Sequence, residues 1–119
     1  MISLYSKILT IILLFLGESI AIYAEMIAAR NYSANSKPFL QIFLKMFLVA
    51  ILAGGFLIVG YMLGFSAFKN IWIVSVTSIT SILIMEPILA YTIFNQLPTK
   101  GAIIGFILGV IGFVASVLF

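Results

Sequence analysis

The sequence predicts an all-α membrane protein with four transmembrane helices per subunit, folded as a single domain. Hydrophobic residues make up 65% of the 119 residues, charged residues make up 8%, and the mean hydropathy is +1.36. This composition leaves too little polar surface to coat a water-soluble globule of that length. A span takes about 20 mostly apolar residues, and four segments meet that requirement: residues 4–29, 40–65, 71–94 and 101–119.

Short polar segments separate the four spans. They read "RNYSANSKP" (residues 30–38), "SAFKN" (66–70) and "NQLPTKG" (95–101). Connections this short make successive helices antiparallel neighbours. The spans lack two-residue alternation, which favours helices over a barrel. Lys7 precedes the first apolar run as in a secretory signal, but a glutamate follows and no small-residue cleavage pattern appears, so we expect this segment to be a span.

Residue types that are missing from the chain exclude most catalytic chemistry. There is no histidine, cysteine or aspartate. Ser-His-Asp and Cys-His nucleophiles, thiol redox chemistry and the common zinc sites are excluded, so we expect no enzyme, cofactor or metal site. The six cations lie at or near helix ends, where they can reach lipid phosphates: Lys7, Arg30, Lys37, Lys45, Lys69 and Lys100. Membrane anchoring explains the net charge of +3, and nucleic-acid binding gains no support.

The acids are distributed in the opposite way, because all three lie inside predicted spans. They are Glu18, Glu25 and Glu86. A carboxylate at the bilayer centre costs roughly 2.5 kcal/mol or more, and such residues usually face the bundle interior or a water-filled cavity. Glu18 and Glu25 are seven residues apart, so we expect them to point inward from one helix face. The alternative is that Glu25 lies near the membrane interface and pairs with Arg30 or Lys37.

The third span carries a further polar set in "IWIVSVTSITSILIMEPILAYTIF". At 100° per residue, Trp72, Ser75, Ser78 and Glu86 fall on one helix face and are candidate substrate-binding residues. Hydroxyls also bond back to their own helix, which weakens their signal. Pro87 follows the acid directly, removes a backbone donor and should kink the helix, as a hinge or as a simple packing kink.

Glycines predict where helices approach closely. In the last span Gly105, Gly109 and Gly112 recur at three- and four-residue spacing and form one flat stripe. Gly60 and Gly64 give the second span a shorter stripe. Each stripe can pack inside the subunit. Four helices are few to enclose a pathway that contains carboxylates, however, so we expect a homodimer joined through the last helices.

Two stretches resemble a known family. "AEMIAA" in the first span is similar to the Ala-Glu-hydrophobic signature of the small multidrug resistance transporters, and residues 85–116 resemble the closing helices of the drug/metabolite transporter superfamily. The resemblance implies an often antiparallel dimer that exchanges protons for substrate at a glutamate of the first helix. The match of "AEMIAA" to the family signature assigns that role to Glu25. The central position that the family's glutamate takes in the helix assigns it instead to Glu18. The family's Gly-x-Gly stretch is replaced by "TSITS", and Glu86 is additional.

Three functions follow from these observations. The first is a proton- or ion-coupled transporter of a small cationic or amphiphilic substrate in the cell (inner) membrane, working as a homodimer. The second is a flippase, or a flippase subunit, for a polyprenyl-linked glycolipid. The third is a non-transporting membrane assembly protein, although such a protein gains nothing evident from buried acids.

Overall fold

Four α-helices make up most of the described part of the chain. The computed structural model describes residues 2–35 and 37–119, and within these ranges it contains no β-strand. The helices are α1 (Ile2–Ser33), α2 (Phe39–Phe68), α3 (Ile71–Phe94) and α4 (Lys100–Leu118). Each is long and apolar enough to span a membrane. The predicted all-α, four-helix class is confirmed, and the chain has the build of a multi-pass membrane protein.

The first two helices are longer than the predicted spans. α1 continues to Ser33 rather than residue 29, and α2 continues to Phe68 rather than residue 65. Residues 30–33 are mostly polar, so the hydrophobic run ends before them. They include no Gly or Pro, so the helix continues through them. At 1.5 Å per residue, α1 is about 48 Å long and exceeds a hydrocarbon core of about 30 Å. In a bilayer, a helix of this length would extend its polar end into the headgroup region.

The turn between α2 and α3 takes two residues. Lys69 ends α2 in the left-handed conformation with φ 58°, and its N–H donates to the carbonyl of Phe65. Asn70 then caps α3, because its side chain accepts a hydrogen bond from the backbone N–H of Trp72 at 2.9 Å. An N-cap of this kind satisfies one of the unpaired donors of a helix start. The chain reverses at once, so α2 and α3 are antiparallel.

Three helices form the packed core, and α4 lies outside it. α1 contacts both α2 and α3, whereas α4 contacts α3 alone among the described residues. Near one end, Gly64 of α2 fits against Thr10 of α1 and Val74 of α3. Near the other end, the buried residues Ala24, Ile27 and Met46 form a cluster. No residue of α4 is buried. In a bilayer, hydrocarbon tails would surround apolar surface of this kind, so it need not be buried inside the protein.

The cations separate into two groups at opposite ends of the bundle. At one end the Lys7 ammonium lies 5.5 Å from the centroid of the Phe68 ring, close to Lys69 in sequence. We call this the N-terminal end. Arg30, Lys37, Lys45 and Lys100 belong to the opposite end, where α1 finishes and α2 and α4 begin. The distribution is two cations against four, which is a weak bias by the positive-inside rule.

This weak bias predicts a mixed topology, with more molecules having their termini outside than inside. Single cysteines at Asn35 and Ser66, which belong to opposite ends, should each react with impermeant reagents from both sides of the membrane. The Asn35 site should react more strongly from the inside. Labelling of each site from one side alone would show a single fixed orientation and exclude an antiparallel dimer.

Candidate functional site

One glutamate joins two helices through a side-chain hydrogen bond. The Ser78 hydroxyl of α3 donates to Glu18 Oε1 of α1 at 2.6 Å. Ser78 is buried, with 5% of its surface exposed, whereas Glu18 is partly exposed. Glu18 occupies the middle of α1, with about as many helical residues before it as after it. The contact therefore holds one carboxylate oxygen at mid-span and leaves the group accessible to a ligand.

Ser78 differs from the other hydroxyls of α3 in the bond that it makes. Thr77, Thr80 and Ser81 each donate to the carbonyl four residues earlier on their own helix. Such back-bonding is the usual fate of Ser and Thr in a helix interior. Ser78 instead reaches across to α1, where a carboxyl oxygen of Glu18 accepts its hydrogen bond.

Tight glycine contacts fix α1 against α2 beside Glu18. A Cβ at Gly17 would lie 2.8 Å from Leu57 Cδ2, and one at Gly60 would lie 2.8 Å from Leu14 Cδ2. The absence of side chains lets the two backbones approach, as in other membrane helix pairs. Gly60 and Gly64 thus pack within the subunit, which is one of the two uses expected from their spacing. Glu18 therefore lies on a closely packed helix pair.

No cation of the chain lies near the carboxylate of Glu18 along α1. The closest cationic residues in this helix are Lys7 and Arg30, which at 1.5 Å per residue are about 16 and 18 Å away along the axis. The middle of α2 and the whole of α3 contain no Lys or Arg, and Lys100 begins α4. A carboxylate in a low-dielectric region without a cationic partner is costly. Binding a proton or an external cation removes that cost.

The other two glutamates lie farther along the same helices. α1 and α3 run in the same direction, so Glu25 and Glu86 lie about 10 and 12 Å beyond Glu18 and Ser78, respectively. Glu86 is partly buried and Glu25 is exposed. Neither forms a hydrogen bond or salt bridge with another described residue. The expected inward pair is therefore incomplete in the single chain: α3 contacts Glu18 through Ser78 but leaves Glu25 uncovered.

The residues of the predicted polar face of α3 have different surroundings. Ser78 contacts α1, whereas Trp72 is 76% exposed and lines a cleft between α1, α3 and α4. Ser75 is partly buried. The four residues span an arc of about 120° at 100° per residue, wide enough to face two different surroundings. Only Ser78 among them is in contact with a glutamate.

The cleft has a volume of about 1000 Å³, and sequence analysis did not identify it. Its walls include Phe15 of α1, Thr80 and Ile84 of α3, and Phe113 of α4. None of the three glutamates lines it. Among the described residues, α4 contacts α3 but not α1, which leaves the cleft open between them. The sequence carries no signal for that arrangement beyond the density of hydroxyls in "SVTSITS".

Pro87 lies within a continuous α3, at a second, smaller groove. The helix extends seven residues past it to Phe94. The groove, of about 480 Å³, lies between the end of α3 and the start of α4 and also includes Leu97 and Phe106. Pro87 leaves the carbonyl of Leu83 without its usual donor. The Leu83 side chain also lies against Gly109 of α4, so the proposed hinge lies one turn from an α3–α4 contact.

The three glycines expected at a dimer interface have different surroundings. A Cβ at Gly109 would lie 2.8 Å from Leu83 Cδ2 of the same chain, whereas a Cβ at Gly105 or Gly112 would meet nothing within 4 Å. Gly109 thus serves the α3–α4 contact inside the subunit. Gly105 and Gly112 remain open for another helix.

This difference predicts separate outcomes for substitutions along the stripe. Gly109→Leu should push α4 away from α3 and lower stability, whereas Gly105→Leu should leave the subunit intact and block close approach of a second copy. Thermal unfolding and crosslinking in mild detergent measure the two effects. A dimer that persists in both Gly105→Leu and Gly112→Leu would exclude the open part of the stripe as the interface.

Comparison with protein-family models, curated proteins and solved structures finds no match to this chain.

Proposed function

We propose that the chain is the subunit of a small membrane transporter in which Glu18 binds in turn a proton and a cationic substrate. The observation that carries this proposal is a mid-span carboxylate that contacts Ser78 and has no Lys or Arg near it along α1. The carboxylate must acquire a positive charge from outside the chain or become protonated. Because the proton and the cation compete for the Glu18 carboxyl group, the movement of one across the membrane is coupled to the movement of the other.

The resemblance to small multidrug resistance transporters implies the same class of function. It does not decide whether Glu18 or Glu25 is the main glutamate. The surroundings of the two candidates favour Glu18, which is central and held by α3, over the exposed Glu25. In a homodimer, the open glycines of α4 would bring two subunits together and double the number of carboxylates. Glu86 would then line the path from mid-span toward the end of α3.

A flippase for a polyprenyl-linked glycolipid is the second candidate. The α1–α3–α4 cleft favours it, because a large apolar cleft between membrane helices suits a substrate with a hydrocarbon chain. The carboxylates would in that case contact the polar part of the substrate. An assembly protein has no specific observation in its favour.

Reconstituted protein distinguishes these functions. Liposomes containing a pH-sensitive dye are challenged with lipophilic organic cations such as tetraphenylphosphonium, and parallel liposomes receive a fluorescent polyprenyl-linked sugar in the outer leaflet. Cation-driven proton movement is the result that we expect. Movement of the labelled lipid without proton flux would favour the flippase, and the absence of both would leave an assembly role and refute the transporter.

A further inference from the structure

The cleft between α1, α3 and α4 has the chemistry of a hydrocarbon-binding site despite its hydroxyl groups. Four hydroxyl residues line it: Thr77, Thr80, Ser81 and Ser116. Each donates to the carbonyl four residues earlier in its own helix, at distances between 2.7 and 3.0 Å. Because these donors are engaged by backbone, the walls offer chiefly methyl and methylene groups to an occupant.

The N-terminal end of the cleft has a different character. Asn70 and Trp72 form this mouth, next to the capping residue Lys69. Asn70 uses its side-chain oxygen to cap α3, which leaves its amide nitrogen as a donor. Trp is a residue typical of the lipid headgroup level. Lys7 lies at the same end, over Phe68, and the acids lie deeper in α1 and α3. This end of the bundle therefore carries two lysines and no glutamate.

These two observations identify the occupant by its chemistry. We propose that the cleft binds an anionic phospholipid of the bilayer, with an acyl chain between α1 and α4 and its phosphate at Asn70 and Lys69. Apolar walls match the chain, and charge complementarity matches the headgroup. The volume of about 1000 Å³ is at the upper end of ordinary ligand sites. Such a lipid would support α4, whose contacts within the described residues are with α3. Binding requires no transport, so this proposal stands apart from the function of Glu18.

Native mass spectrometry of the purified protein in detergent, with added phosphatidylglycerol or phosphatidylcholine, tests the site. Thr80→Phe fills the cleft from α3, and Ser116→Phe fills it from α4. The matched control is Thr92→Phe, since Thr92 is an exposed threonine of α3 that also bonds back to its helix but does not line the cleft. We expect the phosphatidylglycerol adduct in wild type and Thr92→Phe, and its loss in both cleft variants.

The headgroup contact is tested with Lys69→Asn, because Asn tolerates the left-handed conformation of this position. The preference for phosphatidylglycerol over phosphatidylcholine should fall about fivefold, the weight of one cation near a membrane surface. Three results would overturn the proposal: unchanged adducts in both cleft variants, equal binding of the two lipids by wild type, or loss of a dimer peak instead of a lipid adduct. The last would mean that a second copy of the chain occupies the cleft.

Discussion

Glu18→Gln should abolish proton-coupled transport while leaving the protein folded. Glutamine keeps the size of the side chain and an oxygen that accepts the hydrogen bond from Ser78, so the contact between α1 and α3 survives. It cannot take up or release a proton, and it carries no charge to attract a cation. In liposomes with a pH-sensitive dye, addition of an organic cation should therefore produce no proton movement above that of protein-free vesicles.

Glu25→Gln is the matched control, because it makes the same chemical change seven residues along the same helix at an exposed position. We expect it to retain coupled transport. Ser78→Ala should give an intermediate result, since Glu18 keeps its carboxyl group but loses a hydrogen bond that contributes about 0.5–1.5 kcal/mol. Full activity in Glu18→Gln together with its loss in Glu25→Gln would move the site to Glu25, as the local family signature suggests.

Gly64→Leu should give the largest loss of stability. A Cβ at this position would lie 2.8 Å from Thr10 Cγ2 and 3.0 Å from Val74 Cγ2. Both neighbours are fully buried and branched at Cβ, so they have almost no rotamer freedom with which to move aside. Overpacking of this kind costs about 1–3 kcal/mol. Here it pushes α2 away from α1 and α3 together.

Gly55→Leu provides the comparison on the same helix, because a Cβ there meets nothing within 4 Å. It gains helix propensity, worth up to about 1 kcal/mol, without a steric cost. Unfolding by sodium dodecyl sulfate in mixed micelles, followed by circular dichroism, should show a lower midpoint for Gly64→Leu and an unchanged or higher one for Gly55→Leu. Equal midpoints would show that α2 does not contact α1 and α3 at Gly64.

The helices could be predicted from the sequence because membrane spans depend on a local quantity, the hydropathy of about 20 consecutive residues. The ends of α1 and α2 were less predictable. Polar residues such as those at 30–33 stop the hydrophobic run without breaking the helix. The packing role of Gly60 and Gly64 was one of two uses allowed by their spacing, and only the helix arrangement shows that they contact α1.

The contents of the candidate site were partly predictable as well. Three acids inside apolar spans indicate candidate site residues directly, and Ser78 was among the residues expected near them. Periodicity alone did not show that Ser78 contacts Glu18 while Trp72 lies in a cleft, because an arc of 120° faces more than one neighbour. The cleft depends on α4 contacting α3 but not α1 among the described residues, which is a tertiary property without a local signal.

Proton release on substrate binding is the most direct measure of the claim that Glu18 binds either a proton or a cation. Purified protein in weakly buffered detergent is mixed with tetraphenylphosphonium while the pH is recorded, with Glu18→Gln and Glu25→Gln in parallel. We predict that wild type and Glu25→Gln acidify the solution as the cation binds and that Glu18→Gln does not. Cation binding by wild type without acidification, or undiminished acidification in Glu18→Gln, would contradict the account.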